Sequence, residues 1–279
     1  MKAAPPTLLQ QARFALGELG IRPHKRLGQH FLIDADVIQR MVTAAAIRPE
    51  DNVLEIGPGL GALSEVLVNQ AGQLILVEMD TTLAERLAER FAHDGYVQMI
   101  TADFLRLDLK DTFQDRSLKV VASLPYNAAT PILFRLLDHR TQFPQATVML
   151  QREVAERITA SPGTKAYGVL SVLIQLYATP EAVCSVGPRS FFPAPQVHSQ
   201  VIKLIFHKEP RVEVADEGLF RQIVKAAFNQ RRKTLRNALR SVGGADLEAI
   251  GQRADIDLQR RGETLSLAAF ARLTNSWRG

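Results

Sequence analysis

Apolar and polar residues follow two rhythms along the chain, and the change falls near residue 207. The opening segment TLLQQARFALGELG (7–20) has helical spacing and ends at Gly20. Asp34 stands where a helix cap is expected, ahead of Val37, Ile38, Met41, Val42 and Ala45, which share one helical face. Short apolar runs then alternate with helical segments. Strands are expected at 52–56, 73–78, 97–101, 118–123 and 146–151, with helices near 62–70, 81–93 and 129–138. Such a βαβ series predicts a parallel sheet covered on both faces. Two further runs, 182–186 and 199–206, are separated by a Pro-rich stretch and are expected to close the sheet as a hairpin. Beyond 207 the strand signal stops. LFRQIVKAAFNQRRKTLRNALRSV (219–242) reads as one long helix, followed by two or three short ones. The expected division is an α/β domain over 1–207, with a helix and a basic stretch in 1–34, and a helical domain over 208–279.

Composition narrows the class. A chain of 279 residues with ordinary apolar content supports a packed core and a second small domain. The single cysteine, Cys184, excludes an intramolecular disulfide and fits a reducing compartment. Six scattered histidines lack partners at ligand spacing, so no metal is expected. No uncharged apolar run approaches the ~20 residues of a membrane span, and the first residues lack the apolar core of a signal peptide. A cytoplasmic protein is expected, and nothing demands more than a monomer.

The net charge is +5, and its placement matters more than its size. Arg221, Lys225, Arg231, Arg232, Lys233, Arg236 and Arg240 fall within twenty residues that contain no acid. Like charges on one helix repel, so the cluster points to phosphates rather than to a plain solvated face. Lys25 and Arg26 in PHKR form a second basic stretch and are expected to join the first on phosphates.

Candidate chemistry gathers where the predicted strands end. EIGPGLGALS follows the first strand of the βαβ series. Gly57, Gly59 and Gly61 allow backbone to approach a ligand at a helix start. The same spacing satisfies a relaxed dinucleotide fingerprint, so the loop alone leaves two cofactor classes open. Glu78 ends the next strand, where either class needs a carboxylate for ribose hydroxyls. Glu55 favours a ligand carrying an ammonium and a sulfonium, such as S-adenosylmethionine, because a carboxylate there would repel a pyrophosphate. Asp103 ends the third strand at the same edge. The fourth ends in SLPY, residues 123–126. An exocyclic amino group is a poor nucleophile, and its methylation calls for acceptors and a flat surface beside a base taken from its stack. Ser123 and the Leu124 carbonyl offer the acceptors, Pro125 a rigid turn, and Tyr126 the surface.

With KRLGQHFLID, VLEIGPGLGALS, VEMD, ADF, LPYNAATPILF, FFPAPQVHSQVIKL and AFNQRRKTLRNAL in this order, the chain resembles the ribosomal RNA adenine N6-dimethyltransferases that act on small-subunit RNA. The resemblance covers nearly the whole chain. It implies a Rossmann-like class I methyltransferase fold, a seven-stranded mostly parallel sheet with a small all-helical C-terminal domain. It implies transfer of four methyl groups from S-adenosylmethionine to two adjacent adenines in the 3′-terminal hairpin loop, within an assembling small subunit. It implies cofactor contacts at His30, Leu32, Gly57, Glu78 and Asp103, a catalytic turn at Ser123, Leu124, Pro125 and Tyr126, and Phe191 on the far face of the target base. The family has Asn at the positions of His30 and Ser123. A neutral imidazole offers one donor and one acceptor. A serine hydroxyl also accepts, but it is shorter than the amide, which bears on the rate and on the second methylation. The competing readings are a non-catalytic RNA-binding assembly factor, a large-subunit methyltransferase of the macrolide-resistance type, and a nucleotide-dependent dehydrogenase.

Overall fold

The computed structural model describes residues 5–23, 29–114, 116–243 and 246–277. The chain divides into two compact units. The first comprises residues up to Ala155 together with Glu181–Phe206; the second comprises Glu156–Pro180 and the residues from His207 onward. The second unit therefore takes in 156–180, which the sequence assigns to the α/β domain over 1–207.

The first unit opens with α1 (Leu8–Glu18), capped by Thr7, whose hydroxyl accepts from Gln10 N. A two-residue strand β1 (Phe31–Leu32) precedes α2 (Ala35–Ala45). Asp34 caps α2 by accepting from the amides of Asp36 and Val37, which removes two of the helix's unpaired donors. The βαβ series follows in order: β2 (Asn52–Ile56), α3 (Ser64–Leu67), β3 (Gln73–Glu78), α4 (Thr81–Arg90), β4 (Val97–Thr101), α5 (Leu109–Phe113), β5 (Leu118–Ser123), α6 (Ala129–Asp138) and β6 (Gln145–Gln151). α7 (Arg152–Thr159) and α8 (Val169–Tyr177) lead to β7 (Ala178–Val186), β8 (Phe191–Phe192) and β9 (Ser199–Phe206).

The sheet order is β4-β3-β2-β5-β6-β9-β7. β2 through β6 run parallel, and β9 pairs antiparallel with β6, from Gln145↔Ile205 to Gln151↔Ser199. β7 and β9 are therefore neighbours at the end of the sheet, as the hairpin expectation required. Central strands are buried almost throughout, as a parallel sheet covered on both faces demands, whereas the edge strand β4 is half exposed. Val37, Ile38, Met41, Val42 and Ala45 of α2 form one core with Val53, Leu74, Leu76, Val121, Met149 and Val201 from five strands. Met41 is fully buried, so Met41→Ala removes on the order of 2–5 kcal/mol. The β1–β8 pair, Phe31↔Phe192 and Leu32↔Phe191, was not anticipated, because two-residue strands leave no periodic trace.

The second unit is helical from residue 207 onward, with α9 (Glu217–Asn229), α10 (Leu235–Ala238), α11 (Leu247–Ala254) and α12 (Leu267–Asn275). Phe220 meets Phe270 edge-on at 6.5 Å, and Tyr167 meets Phe228 at 5.9 Å. The single helix expected over 219–242 is broken. α9 stops at Asn229, and Thr234 begins a new turn in extended backbone. Residues 229–234 carry no apolar side chain to bury, and three adjacent cations repel in a helix. Phe228 and Leu235 are seven residues apart, so the apolar period runs through the break and conceals it. Among the described residues, no helix is long and apolar enough to cross a membrane.

Candidate active site

A cavity of about 180 Å³ opens at the carboxyl ends of β2, β3, β4 and β5. Its wall includes His30, Gly57, Gly59, Glu78, Asp103, the Ser123–Tyr126 turn and Phe191, ten of the residues singled out in the sequence. Met79, Leu83, Ala102, Phe104 and Ile132 supply its apolar surface. Parallel strands end in loops at one edge, so residues distant in sequence converge there.

The glycine loop is shaped by left-handed backbone. Gly57 and Gly59 have φ of 69° and 59°. A Cβ on Gly59 would stand 3.1 Å from the Phe31 ring, so β1 packs directly on the loop. The Glu78 carboxylate braces the loop from beneath. Its Oε2 accepts from Gly59 N at 3.0 Å, and its Oε1 accepts from the amides of Met79 and Asp80 at 2.9 and 3.0 Å. Burial raises the pKa of Glu78 above its ordinary value, and these three backbone donors oppose the rise. Asp103 Oδ1 accepts from Leu105 N at 2.9 Å, so this carboxylate both holds its own turn and lines the cavity.

The turn after β5 is set by the sheet. Ser123 lies opposite Met149 of β6, and Leu124 N donates to the Met149 carbonyl at 3.2 Å. No hydrogen bond occupies the Ser123 hydroxyl among the described residues, and Ser123 faces both the main cavity and a smaller one beside it. Tyr126 shares a hydrogen bond with Ser199 Oγ at 2.6 Å. Burial pushes its phenol up, partly offset by that bond. His30 Nδ1 donates to the Pro193 carbonyl at 2.7 Å, which orients the ring at the cavity wall. The His30 ring lies 5.6 Å from that of Tyr126, tilted by 33°.

Three predicted cofactor residues do not line the main cavity. Leu32 and Glu55 border the smaller one, together with His30, Gly57 and Ser123. Glu55 is 2 % exposed, and Ser64 Oγ donates to its Oε2 at 2.6 Å. Burial, with Glu78 nearby, pushes Glu55 up to about 8 against the Ser64 bond, so it is protonated near neutral pH. The repulsion of a pyrophosphate that a charged Glu55 would exert is therefore absent. Gly61 lies off both walls; a Cβ there would meet Leu87 Cδ2 at 2.6 Å, so this glycine serves the packing of α4. Sequence reasoning missed Phe31 and Ser199, since each acts through a partner far along the chain.

Of the basic residues, Lys25 and Arg26 lie outside the described residues. In the helical unit, Lys225, Arg232, Lys233 and Arg240 are exposed. Arg231 is used within the unit. It donates to the carbonyls of Lys165 and Tyr167 at 2.7 and 3.1 Å, and its Nε lies 3.5 Å from Glu263. Arg236 pairs with Glu248 at 2.7 Å. Arg221 is half-buried on α9. Among the described residues, no group of three or more His, Cys, Asp or Glu converges as a metal site.

The profile of the Ribosomal RNA adenine dimethylase family matches residues 20–277. A Geobacter sulfurreducens protein named ribosomal RNA small subunit methyltransferase A is 47% identical over 264 residues, 91% of this chain and 95% of its own. The protein of that name from Geobacter metallireducens is 44% identical over 92% of this chain and 96% of its own. Among solved structures, a dimethyladenosine transferase from Plasmodium falciparum shares the fold, with a TM-score of 0.73 at 24% identity over 88% of this chain and 96% of its own. The 23S rRNA methyltransferase ErmE has a TM-score of 0.72 at 26% identity, over 89% of this chain and 100% of its own.

Proposed function

The chain belongs to the ribosomal RNA adenine dimethylase family, and on that footing we propose that it converts two adjacent adenines in the 3′-terminal hairpin loop of small-subunit rRNA to N6,N6-dimethyladenine. The fold neighbours include a dimethyladenosine transferase and a 23S rRNA methyltransferase at nearly equal TM-score, so the fold alone does not choose the RNA. The relatives at 44% and 47% identity, matched over nearly their full length, favour the small subunit. The proposed substrate is an assembling small subunit in the cytoplasm.

The observation that carries the reading is the convergence of Ser123, Tyr126, Glu78 and Asp103 on one cavity behind a glycine loop. These residues fit S-adenosylmethionine. Glu78 lies where ribose hydroxyls would compete for a carboxylate, Asp103 presents a carboxylate that an amino group would share with Arg106 Nε at 3.5 Å, and the apolar wall suits an adenine ring. When bound, that cofactor supplies an electrophilic methyl group on a sulfonium. The chain's part is to hold the acceptor. The Ser123 hydroxyl and the Leu124 carbonyl accept hydrogens of the adenine amino group, steering its nitrogen lone pair out of conjugation. Tyr126 and Phe191 offer surfaces to the flipped base. Positioning and acceptors directed at a nitrogen gaining positive charge carry the catalysis.

The test is mass spectrometry of small-subunit RNA after incubating the protein with S-adenosylmethionine and unmethylated small subunits. Two dimethylated adenines in the hairpin are expected. Methylation of large-subunit RNA instead, or binding without methyl transfer, would overturn the proposal.

A further inference from the structure

The segment from Phe191 to Ser199 touches the site at three places. Phe191 lines the cavity, the Pro193 carbonyl holds His30, and Ser199 Oγ meets the Tyr126 hydroxyl at 2.6 Å. Ser199 is fully buried and is the first residue of β9. β9 runs against β6, so its first residue lies at the edge where β6 ends, opposite Gln151. Arg152 N donates to the His198 carbonyl at 2.9 Å, which pins the backbone immediately before Ser199. The hydroxyl is thus held by a sheet rather than by a loop. Tyr126 is half-buried and carries the only aromatic ring of the turn. A phenol anchored at its oxygen has the long axis of its ring fixed, because the oxygen lies on the line of the Cβ–Cγ bond, so the side chain cannot swing away.

We propose that Ser199 is a positioning residue, which holds the Tyr126 ring at the place where the flipped adenine stacks against it. This rests on the reading that Tyr126 is the stacking surface. A buried hydroxyl pair of this kind has a second use only as a structural tie, and the two roles separate in kinetics. A tie alone weakens folding and cofactor binding together. A positioning bond acts on turnover through Tyr126 and nothing else.

The experiment compares Ser199→Ala, Tyr126→Phe, the double variant and Tyr126→Ala, assayed for kcat and KM on unmethylated small subunits and for S-adenosylmethionine affinity by calorimetry. Ser199→Ala and Tyr126→Phe are each expected to lower kcat about 3- to 10-fold, as loss of one neutral hydrogen bond implies. Cofactor affinity should stay within about two-fold, and the double variant should fall no further than the poorer single one. Additive losses, or a parallel loss of cofactor affinity, would overturn the positioning role. So would full activity of both conservative variants alongside an inactive Tyr126→Ala. Full activity of Tyr126→Ala removes the stacking reading itself. Should Ser199→Ala fail to fold, Tyr126→Phe breaks the same bond from the other side and decides the question.

Discussion

The hydroxyl of Ser64, at the start of α3, donates to Glu55 Oε2 at 2.6 Å and ties that helix to β2 beneath the glycine loop. The carboxyl is completely enclosed and keeps its proton to about pH 8. In the unfolded chain it would lose the proton near 4.5. A folded value above the unfolded one means its contribution is fully present below about 4.5 and disappears as pH rises through about 8. Glu55→Gln keeps a neutral group in place, so it should raise the melting temperature at pH 8.5 and change it little at pH 5. The gain at high pH is on the order of a few kcal/mol. Equal shifts at both pH values would show that Glu55 is charged in the folded protein.

Gly59 holds a left-handed conformation with the Phe31 ring against its Cα. Gly59→Ala should cost about 1–2 kcal/mol of stability from the backbone alone. It should weaken S-adenosylmethionine binding by at least about ten-fold, because a shifted Phe31 moves β1 and the cavity wall with it. Calorimetric titration with the cofactor checks this, and an unchanged affinity would mean the loop does not hold the ligand.

The free hydroxyl of Ser123 faces the cavity, and a longer acceptor at the same place reaches further into it. Ser123→Asn should retain or raise the rate, with the larger gain on the second methylation of each adenine. Quantifying mono- and dimethyladenine over time gives the comparison. A clear loss of methyl transfer would show a pocket built around serine.

Within the basic cluster the structure separates two jobs. Arg231→Ala should lower the melting temperature, since it releases the carbonyls of Lys165 and Tyr167. Arg232→Ala and Lys233→Ala should leave stability unchanged. Each should weaken small-subunit RNA binding and reduce the salt slope of the affinity by about one. A salt slope unaltered in both would remove the phosphate-binding role from this stretch.

Much of the α/β unit was legible because its physics is local. Leu74 to Val77 are buried on both faces and read as an uninterrupted apolar run, as Val53 to Ile56 do but for Glu55. The ligand edge was legible for the same reason: Glu78, Asp103 and Ser123 end successive strands, and the topology alone brings them together. What was not legible depended on partners remote in sequence. The protonation of Glu55 follows from enclosure, which no neighbour in sequence announces. The Tyr126–Ser199 bond spans 73 positions, and the 228–235 spacing hid a break that charge repulsion had made. Arg231 was indistinguishable from Arg232 by type, and both are exposed, yet Arg231 is tied to the carbonyls of Lys165 and Tyr167.

The place of β9 in the sheet has a consequence for how the protein is made. β7 leaves the ribosome before β9, yet in the finished sheet its neighbour is β9, and β9 must enter between β7 and β6. Until residues 199–206 emerge, β6 is an open edge and β7 has no strand beside it. A nascent chain halted before residue 199 therefore carries the glycine loop and the Ser123 turn but lacks the strand that holds Tyr126. Its unpaired β6 offers a sticky edge to other chains. The sheet is therefore completed late in synthesis, by a single strand that closes it and brings Ser199 to Tyr126 in the same step.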